Sequence, residues 1–442
     1  MSEKFLLRPT QDKVKTHYDF IIIGGGPAGA STAWALNRYA PEASVLLVEK
    51  TDKLGAGSST ASLENYRSCW PTECIAKQME RSIHIFHNAD EFLGEDAAQA
   101  IHLKENGYLW CAQNEDAAEG FQKDVQRIRD IGIQHIEYLN ADDVRRRFPW
   151  VGENVIAAKY DPHAGWLDSN ALIHAFIRAS THTQVFLGAD HIQLLREHDE
   201  IRGVNINGMT FSAGAVILAT GAWSNMIAET ANINLPIVLR PRQSFTTGWR
   251  HEQFPEDAPM IIGAHPFPHV RPEARTGAIF GWEYAWKSKH LASNYGSNPA
   301  QDAILKPVES VNSLKDPRFP SVALMLLARQ FQHTRDGFAD GRYLRNISHN
   351  IGYYVSRNEM TAYMLVDDGS HIPYESERAI IDAHPEIGRL FVSIAHVGHG
   401  VMTSPAAGEI MAQRCLNLPL SHPRFADFGW NVHWVEYDEP VL

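Results

Sequence analysis

Apolar residues along this chain fall into two rhythms. The first is the short unbroken run: Phe20-Ile21-Ile22-Ile23, Val45-Leu46-Leu47-Val48, Ala215-Val216-Ile217-Leu218-Ala219 and Leu390-Phe391-Val392-Ser393-Ile394-Ala395. Such runs predict strands buried on both faces, the pattern of a parallel sheet covered by helices. The second rhythm is helical. Over 72–93, Ile75, Met79, Ile83 and Phe86 share one face, and 117–132, 141–147 and 169–180 also read as helices, the last with Ser169 in the capping position. Strands are expected at 184–195 and 200–206, and a last helix from about Ala406 to Cys415. Residues 1–17 predict a polar surface extension, 236–290 are rich in Pro, aromatic residues and Arg, and 291–320 predict a long surface insertion.

The junctions between elements carry the chemistry. The first strand ends directly in Gly24-Gly25-Gly26, a helical segment follows, and the second strand has Glu49 at its tip, 25 residues after Gly24. That is the order of a dinucleotide-binding βαβ unit. Gly24 serves the tight turn, Gly26 lets the backbone approach a pyrophosphate, and Gly29 lets helix pack on strand. The helix N-terminus offers free N–H groups to phosphates, and Glu49 is placed to accept from a ribose. A terminal acid favours an unphosphorylated ribose, so FAD or NAD over NADP. Two further strands end in small-residue turns, at Ala219-Thr220-Gly221-Ala222-Trp223-Ser224 and at His396-Val397-Gly398-His399-Gly400. The second of these feeds a helix N-terminus that can point its dipole at an electron-rich ring.

Composition narrows the class. A chain of 442 residues, 44% hydrophobic, has material for two or three domains and a large core. A net charge of −12 argues against nucleic-acid or anionic-membrane partners. No apolar run reaches the ~18 residues of a membrane span, and the N-terminus has no signal-peptide character. The four cysteines form no metal spacing and the 22 histidines no ligand cluster, so no metal site is expected, and reduced thiols fit a cytoplasmic protein.

Three pieces in order, IIIGGGPAGAS…VLLVEK, VILATGAWS and LFVSIAHVGHGVMTSPAAGEIMA, resemble the D-amino-acid oxidase superfamily of flavoproteins, which includes sarcosine oxidase, glycine oxidase and dimethylglycine dehydrogenase. GAGSSTASLENYRS at 55–68 resembles its loop after the second strand, and HVRPEARTGAIFGW at 269–282 its substrate-domain strands. The resemblance implies an α/β (α+β) fold with a Rossmann-like FAD-binding domain from 17–100, 150–225 and 335–442. It implies an antiparallel-sheet substrate domain from 101–149 and 226–334. By motif match, Gly24, Gly26, Pro27, Ala28, Gly29, Glu49 and Lys50 would hold the ADP part. Ser58, Ser59, Ser62 and Arg67 would lie beside flavin and pyrophosphate, and Thr220, Gly221 and Trp223 on the cofactor's inner side. Gly398, His399, Gly400, Val401 and Met402 would contact the isoalloxazine.

The implied chemistry is hydride removal from the carbon next to nitrogen, giving an imine that water hydrolyses. It needs an apolar wall over the ring and one charged anchor. Departures from the family leave the substrate open. Met402 stands where sarcosine oxidases carry Lys, and the strand around 351–355 reads Ile351-Gly352-Tyr353-Tyr354 where glycine oxidases carry Arg. No Cys occurs on that strand, so the covalent linkage of monomeric sarcosine oxidases is ruled out and FAD is expected to be non-covalent. Arg67, Arg240, Arg242 and Arg357 are candidate anchors for a carboxylate. Trp282, Tyr284, Trp286, Tyr353 and Tyr354 are candidates for the wall, and His269 and His399 for proton transfer or stabilising reduced flavin. Catalytic roles are thus expected among His399, Arg67, Tyr354 and Met402. The leading expectation is an FAD-dependent amine or amino-acid oxidoreductase acting on a small molecule, with oxygen or a redox partner as acceptor. The alternatives are a 2-hydroxy-acid or polyol dehydrogenase and a flavin-bound assembly protein without catalysis.

Overall fold

A computed structural model describes residues 6–7, 15–282, 304–331, 335–357, 362–365, 371–374, 377–430 and 434–436. The apolar runs form the centre of a largely parallel sheet. Its order is Leu6–Leu7, Thr183–Phe186, Val45–Val48, His17–Ile23, Met209–Leu218, Glu200–Ile206, Ile192–Glu197, with Leu390–Ile394 also alongside Met209–Leu218 and Ile380–Ala383 beyond it. Successive residues point to opposite faces. Ile22, Leu47 and Ile217 pack under the helices Pro27–Tyr39, Ser169–Ala179 and Ser404–Cys415. Ile21, Ile23, Leu46 and Val216 face a second cluster with Leu194, Val204, Leu239 and Tyr353. Two-sided burial is why these strands read as continuous runs.

A second sheet has the order Ser348–Arg357, Ile237–Thr247, Gly277–Gly281, His269–Glu273, Met260–Ile262, Tyr108–Ala112, Ala157–Asp161, Glu137–Asn140. It is antiparallel except where Met260–Ile262 runs parallel to Tyr108–Ala112. The helix Phe319–Gln330 covers one face through Phe319, Ala323 and Leu327. Ala157–Asp161 and Ser348–Arg357 belong to this sheet, although the expected boundaries put 150–225 and 335–442 in the FAD domain. Both strands carry residues of the pocket wall or its support, so the two layers meet at the site.

Several local expectations shift. The helix expected over 72–93 is Glu73–His87 and a separate Ala89–Leu93. Asp168, not Ser169, caps the helix Ser169–Ala179, its Oδ1 accepting from Ala171 N at 2.8 Å. The Ser169 hydroxyl instead bonds Glu64. The strand expected at 184–195 is two, divided around Gly188, whose φ is +73°. The helix expected from Ala406 starts at Ser404. The 291–320 insertion is described only from 304, where Ile304 bridges Leu239 rather than standing off the surface. Among the described residues no helix is long and apolar enough to cross a membrane.

Candidate functional site

The glycine turn is built as its sequence requires. His17–Ile23 runs parallel to Met209–Leu218, which sets Gly24 beside Ala219. Gly24 has φ +116°, and a Cβ there would stand 2.3 Å from Ala219 O. A Cβ on Gly29 would stand 1.9 Å from Gly24 O. Around Gly26, by contrast, an added Cβ meets nothing within 4 Å. Gly26 heads the helix Pro27–Tyr39, with no side-chain cap and no acidic residue in the first turn. Pro27 fills the first helical position, and Ala28 O accepts from Thr32 Oγ1 at 2.7 Å. Open space beside an uncapped helix N-terminus makes a cradle that could take a pyrophosphate.

Glu49 is already engaged. Its Oε2 accepts from Gly25 N at 2.8 Å, and its Oε1 from Thr51 N at 2.9 Å. Thr51 Oγ1 also donates to Oε1, at 3.1 Å, so Oε2 is the oxygen that keeps a further lone pair for a ribose hydroxyl. Lys50 is exposed beside it. On the neighbouring strand end, Thr220 Oγ1 lies 3.0 Å from Ser224 Oγ, Gly221 has φ +52°, and Trp223 meets the Tyr353 ring edge-on.

From the cradle the chain passes directly to a pocket between the two sheets. Gly55 N donates to Gly25 O at 3.1 Å, and Ser58 Oγ accepts from Tyr353 N at 2.9 Å, pinning the loop to the second sheet. Ser58, Ser62, Arg67, Tyr353, Tyr354, Gly398, His399, Val401 and Met402 all line the pocket. Ser59 and Gly400 do not; Ser59 O accepts from Ser62 Oγ at 2.6 Å within the loop. A Cβ on Gly398 would stand 2.8 Å from the Tyr354 ring, so the glycine is what lets this turn approach the second sheet.

The four candidate anchors separate. Arg357 donates to the backbone oxygens of Arg378, Ala379, Gly429 and Trp430, which ties the C-terminal segment and takes it out of the site. Arg240 is buried but does not line the pocket. Arg242 lines it, its guanidinium 5.5 Å from the Tyr354 ring. Arg67 lines it and is only 6% exposed. Its guanidinium lies 3.9 Å from the Trp70 ring centroid and 5.6 Å from that of Trp110. Among the described residues Arg67 Nε has no hydrogen-bond partner, and no carboxylate lies within ion-pair distance of the side chain.

The aromatic wall differs from expectation. Tyr353 and Tyr354 are in it, but Trp282 stacks on Phe319 away from the pocket, and Tyr284 and Trp286 lie outside the described residues. Trp70 and Tyr108 stand in their place. His399 packs edge-on against Trp70, with centroids 4.3 Å apart, and its Nε2 is 4.0 Å from Glu377 Oε2. Glu377, buried and lining the pocket, was not foreseen; nothing in the spacing of the segment around it marks it. Trp70 had a usable signal, since an aromatic three residues after a buried Arg invites stacking.

His269 also lines the pocket, and burial pushes its pKa down to about 4. Its Nδ1–H donates to Phe267 O at 2.9 Å. A neutral ring at physiological pH cannot supply positive charge to a reduced cofactor. His396 is likewise held at about 4 by burial. Its folded pKa lies below its ordinary 6.5, so the unfolded chain takes up protons first, and stability is lost as pH falls from 6.5 towards 4. The melting temperature should therefore drop over that window, and His396→Gln should flatten the drop. The full effect of one such group approaches about 3 kcal/mol by pH 4; thermal melts at stepped pH measure it.

Residues 19–414 match the family described as FAD dependent oxidoreductase (DAO), and the chain belongs to that family. It is an FAD-dependent oxidoreductase. Along 98% of its length it is 24% identical to the Xenopus laevis "FAD-dependent oxidoreductase domain-containing protein 1", covering 86% of that protein. It is 21% identical to glycine oxidase of Geobacillus kaustophilus over 90% of this chain and 93% of that one. Among solved structures, L-proline dehydrogenase from P. horikoshii superposes with a TM-score of 0.72 at 18% identity, covering 94% of this chain and 97% of that one.

The residues present fit FAD. The open space at Gly26 suits a pyrophosphate, and Asn65 Oδ1 and Arg67 Nε, buried polar atoms without protein partners, suit a polar ligand in the pocket. None of the four cysteines is among the pocket-lining residues. Acid precipitation should therefore release the flavin into the supernatant and leave a colourless pellet, which absorbance of the two fractions checks.

Proposed function

We propose that this enzyme oxidises the C–N bond of an amine or amino acid that carries a carboxylate, and that Arg67 holds the carboxylate. The observation that carries this is the buried, unpaired guanidinium of Arg67 in the pocket wall. Burying a cation without a counter-charge is costly, and a carboxylate ligand offsets that cost through two parallel charge-assisted bonds. Trp70 fixes the plane of the fork, a contact on the order of 1–2 kcal/mol when desolvated.

In this reading Gly24, Gly26, Pro27, Gly29 and Glu49 hold the ADP portion. The FAD they hold would supply the acceptor for a hydride from the carbon next to nitrogen, and water would hydrolyse the resulting imine. The protein's part is positioning and exclusion of water. Arg67 fixes the carboxylate end, Trp70, Tyr108 and Tyr354 wall the carbon skeleton, and His399, with Glu377 4.0 Å from its Nε2, lines the pocket at the turn before the helix Ser404–Cys415. Names among the relatives and structural neighbours, glycine oxidase and L-amino acid deaminase, agree with such a substrate.

The test is anaerobic mixing of the yellow enzyme with amino acids and their decarboxylated amines. Bleaching of the flavin band by carboxylated members of the pairs is expected. Equal bleaching by both members would remove the carboxylate from the reading.

A further inference from the structure

Asp161 ends the strand Ala157–Asp161 and is wholly buried. Its Oδ2 accepts three hydrogen bonds from two consecutive residues: Ser68 N at 2.8 Å, Ser68 Oγ at 2.9 Å and Cys69 N at 3.1 Å. Its Oδ1 accepts from His163 N at 3.0 Å and lies 3.5 Å from His135 Nε2. The same His135 nitrogen is 2.6 Å from Ser68 Oγ. Ser68, His135 and Asp161 thus include the residue types of a hydrolytic triad without its wiring. Serine and aspartate sit on one ring nitrogen, so the ring cannot pass a proton from one to the other.

The cluster has another use. Ser68 and Cys69 lie between Arg67 and Trp70, whose side chains stack. The four-residue turn must hold its shape for the guanidinium to stay over the indole. Burial alone would push the Asp161 carboxyl up, but the His135 and Ser68 hydrogen bonds offset this and hold it below its ordinary value. Asp161 therefore stays ionised and keeps accepting. Its acceptor oxygens are directed at backbone, Ser68 and His135, and the Arg67 guanidinium is not a partner, so the cation is left for the pocket.

We infer that Asp161, assisted by His135, is a positioning residue: it clamps the Arg67–Trp70 turn from the second sheet so that Arg67 presents a fixed fork to a substrate carboxylate. This rests on the carboxylate reading above. Asp161 does not touch the substrate. It acts through Ser68, 93 residues away in sequence, and couples the second sheet to the anchor.

The probes are benzoate and its neutral isostere benzamide, titrated into the FAD-loaded enzyme while the flavin spectrum is followed. Asp161→Asn faces the Ser68 and Cys69 donors with a group that also donates. It should weaken benzoate by about tenfold while benzamide shifts much less. Ser68→Ala removes one of the three bonds and should weaken benzoate by about two- to threefold; it decides the matter if Asp161→Asn does not fold. Equal losses for benzoate and benzamide, or no loss of benzoate in either variant, would overturn the positioning role. Arg67→Met separates the two layers. If it leaves the benzoate-to-benzamide ratio unchanged, the carboxylate reading itself fails. If it collapses the ratio while the Asp161 and Ser68 variants do not, only this inference fails.

Discussion

Gly26→Val is expected to fold and to emerge from purification without flavin. The backbone at Gly26 has φ −81° and ψ −176°, an extended conformation that a β-branched residue adopts readily. A Cβ there meets no protein atom within 4 Å, so the fold has no objection to valine. The space it would occupy is the space in front of the helix N-terminus, where a pyrophosphate would be cradled. The neighbouring glycines behave differently. A methyl on Gly29 would fall 1.9 Å from Gly24 O, and Gly24 itself needs φ +116°. Gly29→Ala should therefore cost stability, about 1–3 kcal/mol or more, before any question of cofactor arises. Far-UV circular dichroism and a thermal melt report folding, and the ratio of flavin to protein absorbance reports binding. A Gly26→Val enzyme that stays fully yellow contradicts the assignment of the cradle.

Arg67→Met should lower kcat/KM for a carboxylated amine about 100-fold, two charge-assisted bonds at roughly 1.5 kcal/mol each. Methionine keeps an apolar stem against Trp70, so the flavin content and the melting temperature should change little. Removing an uncompensated buried cation can even stabilise the fold. The same variant should leave an amine without a carboxylate nearly unaffected. Steady-state kinetics on a matched pair measure this. A uniform loss on both members, with flavin retained, would assign Arg67 to general architecture.

The glycine turn and its flanking elements were legible in the sequence because their signals are local. Gly24 to Gly29, the apolar strands before and after, and Glu49 all lie within one βαβ unit, where turn chemistry and periodicity speak directly. The pocket was legible only in part. Ser58, Ser62, Arg67, Tyr354, His399 and Met402 were named and do line it. Glu377, Tyr108 and Met260 were not, because they arrive through strand pairing in the second sheet or through segments with no periodic mark. The same limit hides which sheet the strands just after 150 and 335 join. A strand's sheet membership is set by partners far along the chain: Ser348–Arg357 pairs with Ile237–Thr247, and Ala157–Asp161 with Tyr108–Ala112. Asp161 illustrates the point most sharply. Its meaning lies in bonds to Ser68 and Cys69, and no local pattern around 157–161 announces them.

The most direct test of the central claim is a single anaerobic turnover with an amino acid and with the hydroxy acid of the same carbon skeleton, products assayed in each. Both carry the carboxylate, so only the oxidised bond differs. The account predicts that the amino acid bleaches the flavin and yields one equivalent of ammonia or primary amine, with its carbonyl product, for each flavin reduced, while the hydroxy acid leaves the flavin yellow. Bleaching by the hydroxy acid with the amino acid inert would contradict it.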